Sequence, residues 1–276
     1  MVWLHNIYTR ELLRKNRLRK LLYGRLFERP LLNGALAIHV LAEQHAEYLA
    51  DYGVHVPAFV VPNGFDPEEV PETHCEAARS GFGDGATLSL LFLGRLDMHV
   101  KGLDLLFRAL SAGIRNGKLP INLRLDLVGA DWGDQHRLET LAARLRIADF
   151  VRFPGYVPPA ERWNVLSSHD ILILPSRWEG VPLVVIEAMA LGKPVIVSEE
   201  TGTSSYVREA QCGYLVQPNP ASICAGLIRA IETRDEWRGM GERGRAFAYQ
   251  HLTWAKIAEQ ATHALEEILG LRGARV

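Results

Sequence analysis

The stretch from Ile171 to Ser198, ILILPSRWEGVPLVVIEAMALGKPVIVS, constrains the fold more than any other part of the chain. Residues 171–174 and 195–198 are continuous apolar runs bounded by turn residues, as strands buried on both faces of a parallel sheet are. Between them Pro182 suits the first turn of a helix and Gly192 its C-terminal stop. Strand, loop, helix and strand make one βαβ unit. Its loop falls at the carboxyl end of the first strand, where open α/β sheets bind ligands.

Two carboxylates sit in that unit. Glu179 is in the loop, and Glu187 lies about a turn and a half into the helix. Val184, Val185, Ile186, Ala188 and Met189 surround Glu187 in sequence, so the helix is apolar nearly all round and reads as buried. A carboxylate there is costly without partners. It is either a helix-edge Glu bonded to backbone or Arg, or one of two carboxylates that grip different parts of one ligand. In the second reading the free N–H groups of Gly180, Val181, Leu183 and Val184 face an anion, Pro182 having none.

The same alternation continues across the chain. Strands are expected at 88–93, 123–128, 150–153, 171–174 and 195–198, and helices at 102–114, 135–146, 159–168, 183–191 and 221–232. Strands alternating with helices predict an α/β fold with a doubly wound parallel sheet. The tail, 235–271, reads as helix throughout. Residues 66–86 are polar and rich in Pro, Glu, Gly and Asp, which makes them the best domain boundary. The expected division is a partial amino-terminal domain (1–65), a linker (66–86), a ligand-binding domain (87–250) and a carboxyl-terminal helix (251–276).

Before the boundary, short strands are expected at 1–4, 34–41 and 58–61 and a helix at 43–52, with His5 directly after the first strand. Residues 10–29 carry eight basic and two acidic residues, with Leu12, Leu13, Leu18, Leu21, Leu22, Leu26 and Phe27 broadly on one helical face. This is either a helix packed on its own domain with a solvated basic side, or a face that lies on anionic lipid.

Composition narrows the classes. A net charge of −1 gives no global bias toward nucleic acid. Cys75, Cys212 and Cys224 form no CxxC pair, which fits a reducing compartment. No apolar run reaches the length of a membrane span, and the first residues lack the apolar core of a signal peptide. A cytoplasmic protein, peripheral on the inner face of a membrane if residues 10–29 bind lipid, is the expectation.

The strand ends point to one cleft. They carry Gly94-Arg95, Gly129-Ala130, Pro154-Gly155-Tyr156, Pro175-Ser176 followed by Glu179, and Ser198-Glu199. Small residues recur where a ligand must come close to backbone. In GRLDMHVKGLDLL, Arg95 follows one strand and Lys101 precedes the next helix, so the two can bracket a diphosphate, Arg as a planar fork and Lys as a point charge. There is no Asp-x-Asp pair, the usual acidic pair for a nucleotide-bound metal. Lys and Arg can neutralise a leaving diphosphate in its place.

Together these residues resemble the retaining GT-B glycosyltransferases of the group-1 type (glycosyltransferase family 4), with a Glu, seven residues, then Glu at Glu179 and Glu187. GRL and KG at Arg95 and Lys101 match that family's diphosphate-binding pair. The likeness runs on through VGADWG, FPGYV, LPSRWEGVPL and CGYLVQP, over essentially all of residues 60–250. The resemblance implies a GT-B fold with a complete carboxyl-terminal Rossmann-like domain and an incomplete amino-terminal one. It implies a sugar moved from a nucleotide diphosphate sugar to a glycan or lipid-linked acceptor, with retention of configuration, no metal and no further cofactor. The donor is guessed to be a UDP-sugar. Glu187 would hold the ribose hydroxyls and Glu179 the transferred sugar, with Gly180, Val181 and Leu183 touching sugar and phosphate. Arg95 and Lys101 would stabilise the departing diphosphate beside Gly94 and Gly129, and Tyr156 and Val157 would border the base.

The likeness is weakest at the front. Family members carry a full Rossmann domain before the linker, whereas about 60 residues precede Pro62-Asn63-Gly64 here. VWLH resembles that domain's strand ending in a sugar-contacting His, which makes His5 a sugar contact or a structural residue. A partner chain supplying the rest, a fragment, or a homodimer covering the open sheet are the three expectations. The corresponding alternative function is a nucleotide-sugar-binding subunit inactive without its partner. A GT-B-like epimerase fits less well, since such enzymes do not usually share the Glu pair spacing.

Overall fold

The apolar runs at residues 88–93, 171–174 and 195–198 form strands, because a segment apolar on both faces is satisfied between two helical layers, whereas the run after Pro182 forms a helix. The computed structural model describes residues 2–3, 22–71 and 87–270. The chain divides into two compact units, residues 65–250 and residues 1–64 with 251–276.

In the unit 65–250 the strands are β4 (Leu88–Leu93), β5 (Leu123–Val128), β6 (Val151–Gly155), β7 (Ile171–Leu174), β8 (Val195–Ser198) and β9 (Gly213–Val216). The helices are α3 (Leu103–Arg115), α4 (Gln135–Arg144), α5 (Arg162–Ser167), α6 (Leu183–Ala190), α7 (Ser204–Ala210), α8 (Pro220–Glu232) and α9 (Trp237–His251). The sheet order is β6-β5-β4-β7-β8-β9, and every pairing is parallel. Chain order therefore runs outward on one side of β4, then crosses back and runs outward on the other. This is the doubly wound α/β arrangement, with its switch point between β4 and β7.

The core is the sheet itself: Leu90, Leu91, Phe92, Leu125, Leu127, Ile173, Ile196 and Val197 are buried. On α3, Leu103, Leu106, Phe107 and Leu110 are buried, the i, i+3, i+4, i+7 spacing of a helix packed on one face.

Four strands match their expected bounds. The fifth, β6, starts one residue late because residues 148–150 form a 3₁₀ turn. Pro159 likewise opens a 3₁₀ turn to Glu161, so α5 begins only at Arg162. Pro182 proves to be the residue before the first turn of α6, and Gly192, left-handed at φ 71°, follows its end. The tail is not one helix. It breaks between α9 and α10 (Trp254–Ile268), where Thr253 accepts a hydrogen bond from the N–H of Lys256 at 3.3 Å and caps the second helix.

The other unit holds a three-stranded parallel sheet in the order β1 (Val2–Trp3), β2 (Ile38–Val40), β3 (Ala58–Val60). A π-helical turn (Gly24–Glu28) runs into α1 (Arg29–Asn33), and α2 (Glu43–Tyr52) links β2 to β3. Leu32, Ile38, Val40, Leu49, Tyr52 and Val54 form its core, and α10 packs on β3. Of the basic stretch 10–29, residues 10–21 lie outside the described residues, as does His5. Leu22, Tyr23, Leu26 and Phe27 are each more than half exposed. Among the described residues no helix is long and apolar enough to cross a membrane.

Candidate functional site

A sheet of this order opens its crevice at the carboxyl ends of the strands beside the switch point between β4 and β7, and backbone packing draws those ends together. At Gly129, after β5, a Cβ would lie 1.8 Å from the carbonyl oxygen of Gly94, after β4. At Gly102, left-handed at φ 66°, a Cβ would lie 2.2 Å from the carbonyl oxygen of Pro175, after β7. Only glycine lets these three strand ends come so close.

The loops after β4 and β7 are tied together over the crevice. The N–H of Arg177 donates to the carbonyl of Val100 at 2.9 Å. The Arg177 guanidinium forms a fork on Asp104, at 2.7 and 2.9 Å, and donates to the carbonyl of His99 at 2.7 Å. The rings of His99 and Trp178 meet edge to face at 5.4 Å. From the other side, Glu179 bridges to Thr201 in the loop after β8, and the N–H of Gly202 donates to the carbonyl of Gly180 at 2.6 Å.

This bracing places Lys101 against Glu179. Lys101 is 7% exposed and its Nζ donates to Glu179 Oε2. The Ser176 hydroxyl donates to the same oxygen at 3.3 Å. The contact spans the switch point, one partner from each side.

Glu187 is held differently. It is buried on α6, and Arg162 Nε stands 3.0 Å from its Oε1. Arg162 Nε nevertheless makes no hydrogen bond, so its N–H is not aimed at that oxygen and the contact is ionic. The same guanidinium donates through Nη2 to Glu69. Burial pushes the Glu187 carboxyl above the usual range, Arg162 draws it down, and Glu69 pushes it up again, with a net rise.

Arg95 is exposed, and its guanidinium lies 4.5 Å from the ring centre of Trp132, a cation-π contact between the loops after β4 and β5. Among the described residues it has no ion-pair partner. Gly94 and Gly129 stand at the ends of β4 and β5, Tyr156 and Val157 directly after β6 with Tyr156 exposed, and Gly180 and Val181 in the loop before α6. Leu183 is the first residue of α6, which has no side-chain cap.

The structure thus joins Lys101 to Glu179, Glu187 to Arg162 and Arg95 to Trp132. No hydrogen bond or ion pair joins one of these three groups to another. Arg162, Glu69, Ser176, Arg177 and Thr201 are the members that sequence reasoning did not assign to the site. A signal existed for one of them: Arg162 is a cation in the first turn of a helix, against the helix dipole, so something other than helix stability holds it there. The reading of 66–86 as linker also missed Glu69, which stands in a 3₁₀ turn (Pro67–Glu69) capped by Asp66, whose Oδ1 accepts from the N–H of Glu68 at 2.9 Å.

Fold and site define a doubly wound α/β domain with a charge-paired crevice at its switch point, the class that takes nucleotides and other phosphorylated ligands at strand ends. The chain belongs to the group 1 glycosyltransferase family, whose pattern residues 83–247 match. Among its relatives, the D-inositol 3-phosphate glycosyltransferase of Geodermatophilus obscurus is 33% identical over 74% of this chain and 46% of that protein. The phosphatidyl-myo-inositol mannosyltransferase of Mycobacterium tuberculosis is 30% identical over 79% of this chain and 56% of that protein. The chain thus spans about half the length of the curated relatives it matches. The Anabaena protein Alr3699/HepE, solved in complex with UDP-glucose, superposes with a TM-score of 0.78 at 22% identity, over 96% of this chain and 72% of that one, which shows the shared fold.

Proposed function

We propose that this chain is a retaining, metal-independent glycosyltransferase of the family 4 type, which moves a sugar from a nucleotide diphosphate sugar to a glycan or lipid-linked acceptor. The observation that carries the reading is the contact of buried Lys101 with Glu179 across the switch point. It sets a cation for phosphate beside a carboxylate for sugar hydroxyls, next to the uncapped start of α6. Glu187 lies within the same βαβ unit, and no described residue donates a hydrogen bond to its carboxylate, which leaves lone pairs for ribose hydroxyls.

In the proposed reaction the acceptor hydroxyl oxygen bonds to the anomeric carbon on the face the diphosphate leaves. The bond from that carbon to the phosphate oxygen breaks, and the departing phosphate takes the hydroxyl proton. Arg95 and Lys101 stabilise the charge that builds on the diphosphate, a task that needs donors already in place. Lys101 releases Glu179 to the sugar as the phosphate arrives. Tyr156 and Val157 border the base, which we take to be uracil.

The names of the relatives, which refer to inositol phosphate and phosphatidylinositol, support an acceptor of the lipid-linked or phosphorylated-polyol kind. Arg25 within the exposed run Leu22, Tyr23, Leu26 and Phe27 supports peripheral attachment to anionic lipid. The test is release of nucleoside diphosphate from UDP-glucose and GDP-mannose, with phosphatidylinositol vesicles or inositol phosphate as acceptor and with or without chelator. Acceptor-dependent release that survives chelation supports the proposal. Tight donor binding without turnover under any condition assigns the chain instead to donor binding within a larger assembly.

A further inference from the structure

We infer that Arg162 is a positioning residue that keeps Glu187 an open acceptor for the donor, and that Glu69 fixes Arg162 in that task. The inference rests on the reading above, that Glu187 holds the donor's ribose. A carboxylate on a helix as apolar as α6 needs a countercharge. A countercharge that hydrogen-bonds it fully, as a forked Arg does, would fill the lone pairs that two ribose hydroxyls require. Arg162 does otherwise. Its Nε stands 3.0 Å from Glu187 without aiming its N–H there.

The orientation has visible causes. Nη2 is anchored on Glu69, which a capped 3₁₀ turn presents. The guanidinium also lies 5.4 Å from the ring centre of Trp163. Two carboxylates thus share one rigid cation through different nitrogens, Glu187 beside Nε and Glu69 on Nη2, which a flexible point charge reproduces less well.

The charges that act on Glu187 are Arg162 from α5 and Glu69 from the turn before β4. Burial and Glu69 favour the protonated acid, and Arg162 alone opposes them. A protonated Glu187 offers one hydroxyl in place of an acceptor oxygen. Loss of the Arg162 charge therefore makes donor affinity depend on pH, lost as pH falls. Loss of the Glu69 charge, with an oxygen kept for Nη2, moves affinity the opposite way.

The experiment is calorimetric titration of the full chain at pH 6.5, 7.5 and 8.5, with whichever of UDP-glucose and GDP-mannose binds more tightly. Neither diphosphate titrates in that range. Arg162→Met should lose about tenfold more affinity than the wild type between pH 8.5 and 6.5, the effect of one pK unit. Arg162→Lys should restore most of the wild-type profile, and Glu69→Gln should hold its affinity to lower pH than the wild type. Glu187→Gln should bind weakly at every pH. A wild-type pH profile in Arg162→Met and in Glu69→Gln, beside a weakened Glu187→Gln, overturns the inference and leaves the ribose reading standing. Wild-type binding by Glu187→Gln overturns the ribose reading itself and the role of Arg162 with it. Should Arg162→Met fail to fold, the opposite displacement in Glu69→Gln decides the matter.

Discussion

Glu179 and Glu187 stand eight positions apart in one βαβ unit, yet the protein handles their charges in opposite ways. Glu179 is closed: Lys101 and Ser176 both donate to one of its oxygens. Glu187 is compensated but open, with Arg162 near it and no hydrogen bond taken. Among the described residues another buried group, His45 on α2, has no charged partner, and burial favours its neutral form. The two partners differ in mobility. Lys101 is the end of a flexible stem and can pass from carboxylate to phosphate, whereas Arg162 is pinned by Glu69 and keeps its place.

The contrast can be broken most forcefully at Lys101. Lys101→Ala should lower turnover by about 10² to 10³, the effect of removing one preorganised charge from a leaving group. Unchanged rates of diphosphate release would remove Lys101 from the reaction. Next, Glu179→Ala leaves the Lys101 ammonium buried without its carboxylate, so unfolding in urea should show a loss of about 3 kcal/mol. A change within experimental error would mean that water already screens Lys101.

The corresponding change at the open carboxylate should separate stability from binding. Glu187→Ala removes a desolvated charge while Arg162 keeps Glu69, so the urea midpoint should hold or rise. Its affinity for nucleotide sugar should fall about tenfold to a hundredfold, as expected for lost hydrogen bonds to a charged acceptor. A parallel loss of stability would place Glu187 with Glu179 and erase the distinction.

The smallest effect concerns His45. Burial pushes its imidazole down to about 4, and its Nε2 makes no hydrogen bond among the described residues. An unfolded His titrates near 6.5, so between these values the unfolded chain holds the extra proton. The stability from His45 is then complete above pH 6.5 and lost as pH falls toward 4, about 2 kcal/mol between pH 7.5 and 5. Denaturation curves at the two pH values should show it, and His45→Gln should flatten the difference.

Legibility followed burial. Strands β4, β7 and β8 could be bounded from sequence because they are apolar nearly throughout, and β5 because LRLDLV alternates, each ending at Pro, Gly, Ser or a charge. The edge strand β9 could not, since GYLV opens on glycine and is only alternately buried. Helix α7 was missed because SSYVREA offers no sustained apolar stripe. The break at Thr253 was written in the sequence as a capping residue but was masked by helix-forming residues on both sides.

For the candidate site, the chain alone pointed to Gly94, Arg95, Gly129 and Glu179 at or after strand ends, Lys101 before α3 and Glu187 inside α6. Local pattern names such residues because strand length and turn chemistry are short-range properties. Which cation meets which carboxylate was decided only by the fold. Sheet order brings the loops after β4 and β7 together across 78 residues of sequence. That same order sets Arg162 between Glu69 and Glu187, three positions that no local rule connects. Pairing of charge depends on distance and dielectric, and both exist only once the sheet has closed around its switch point.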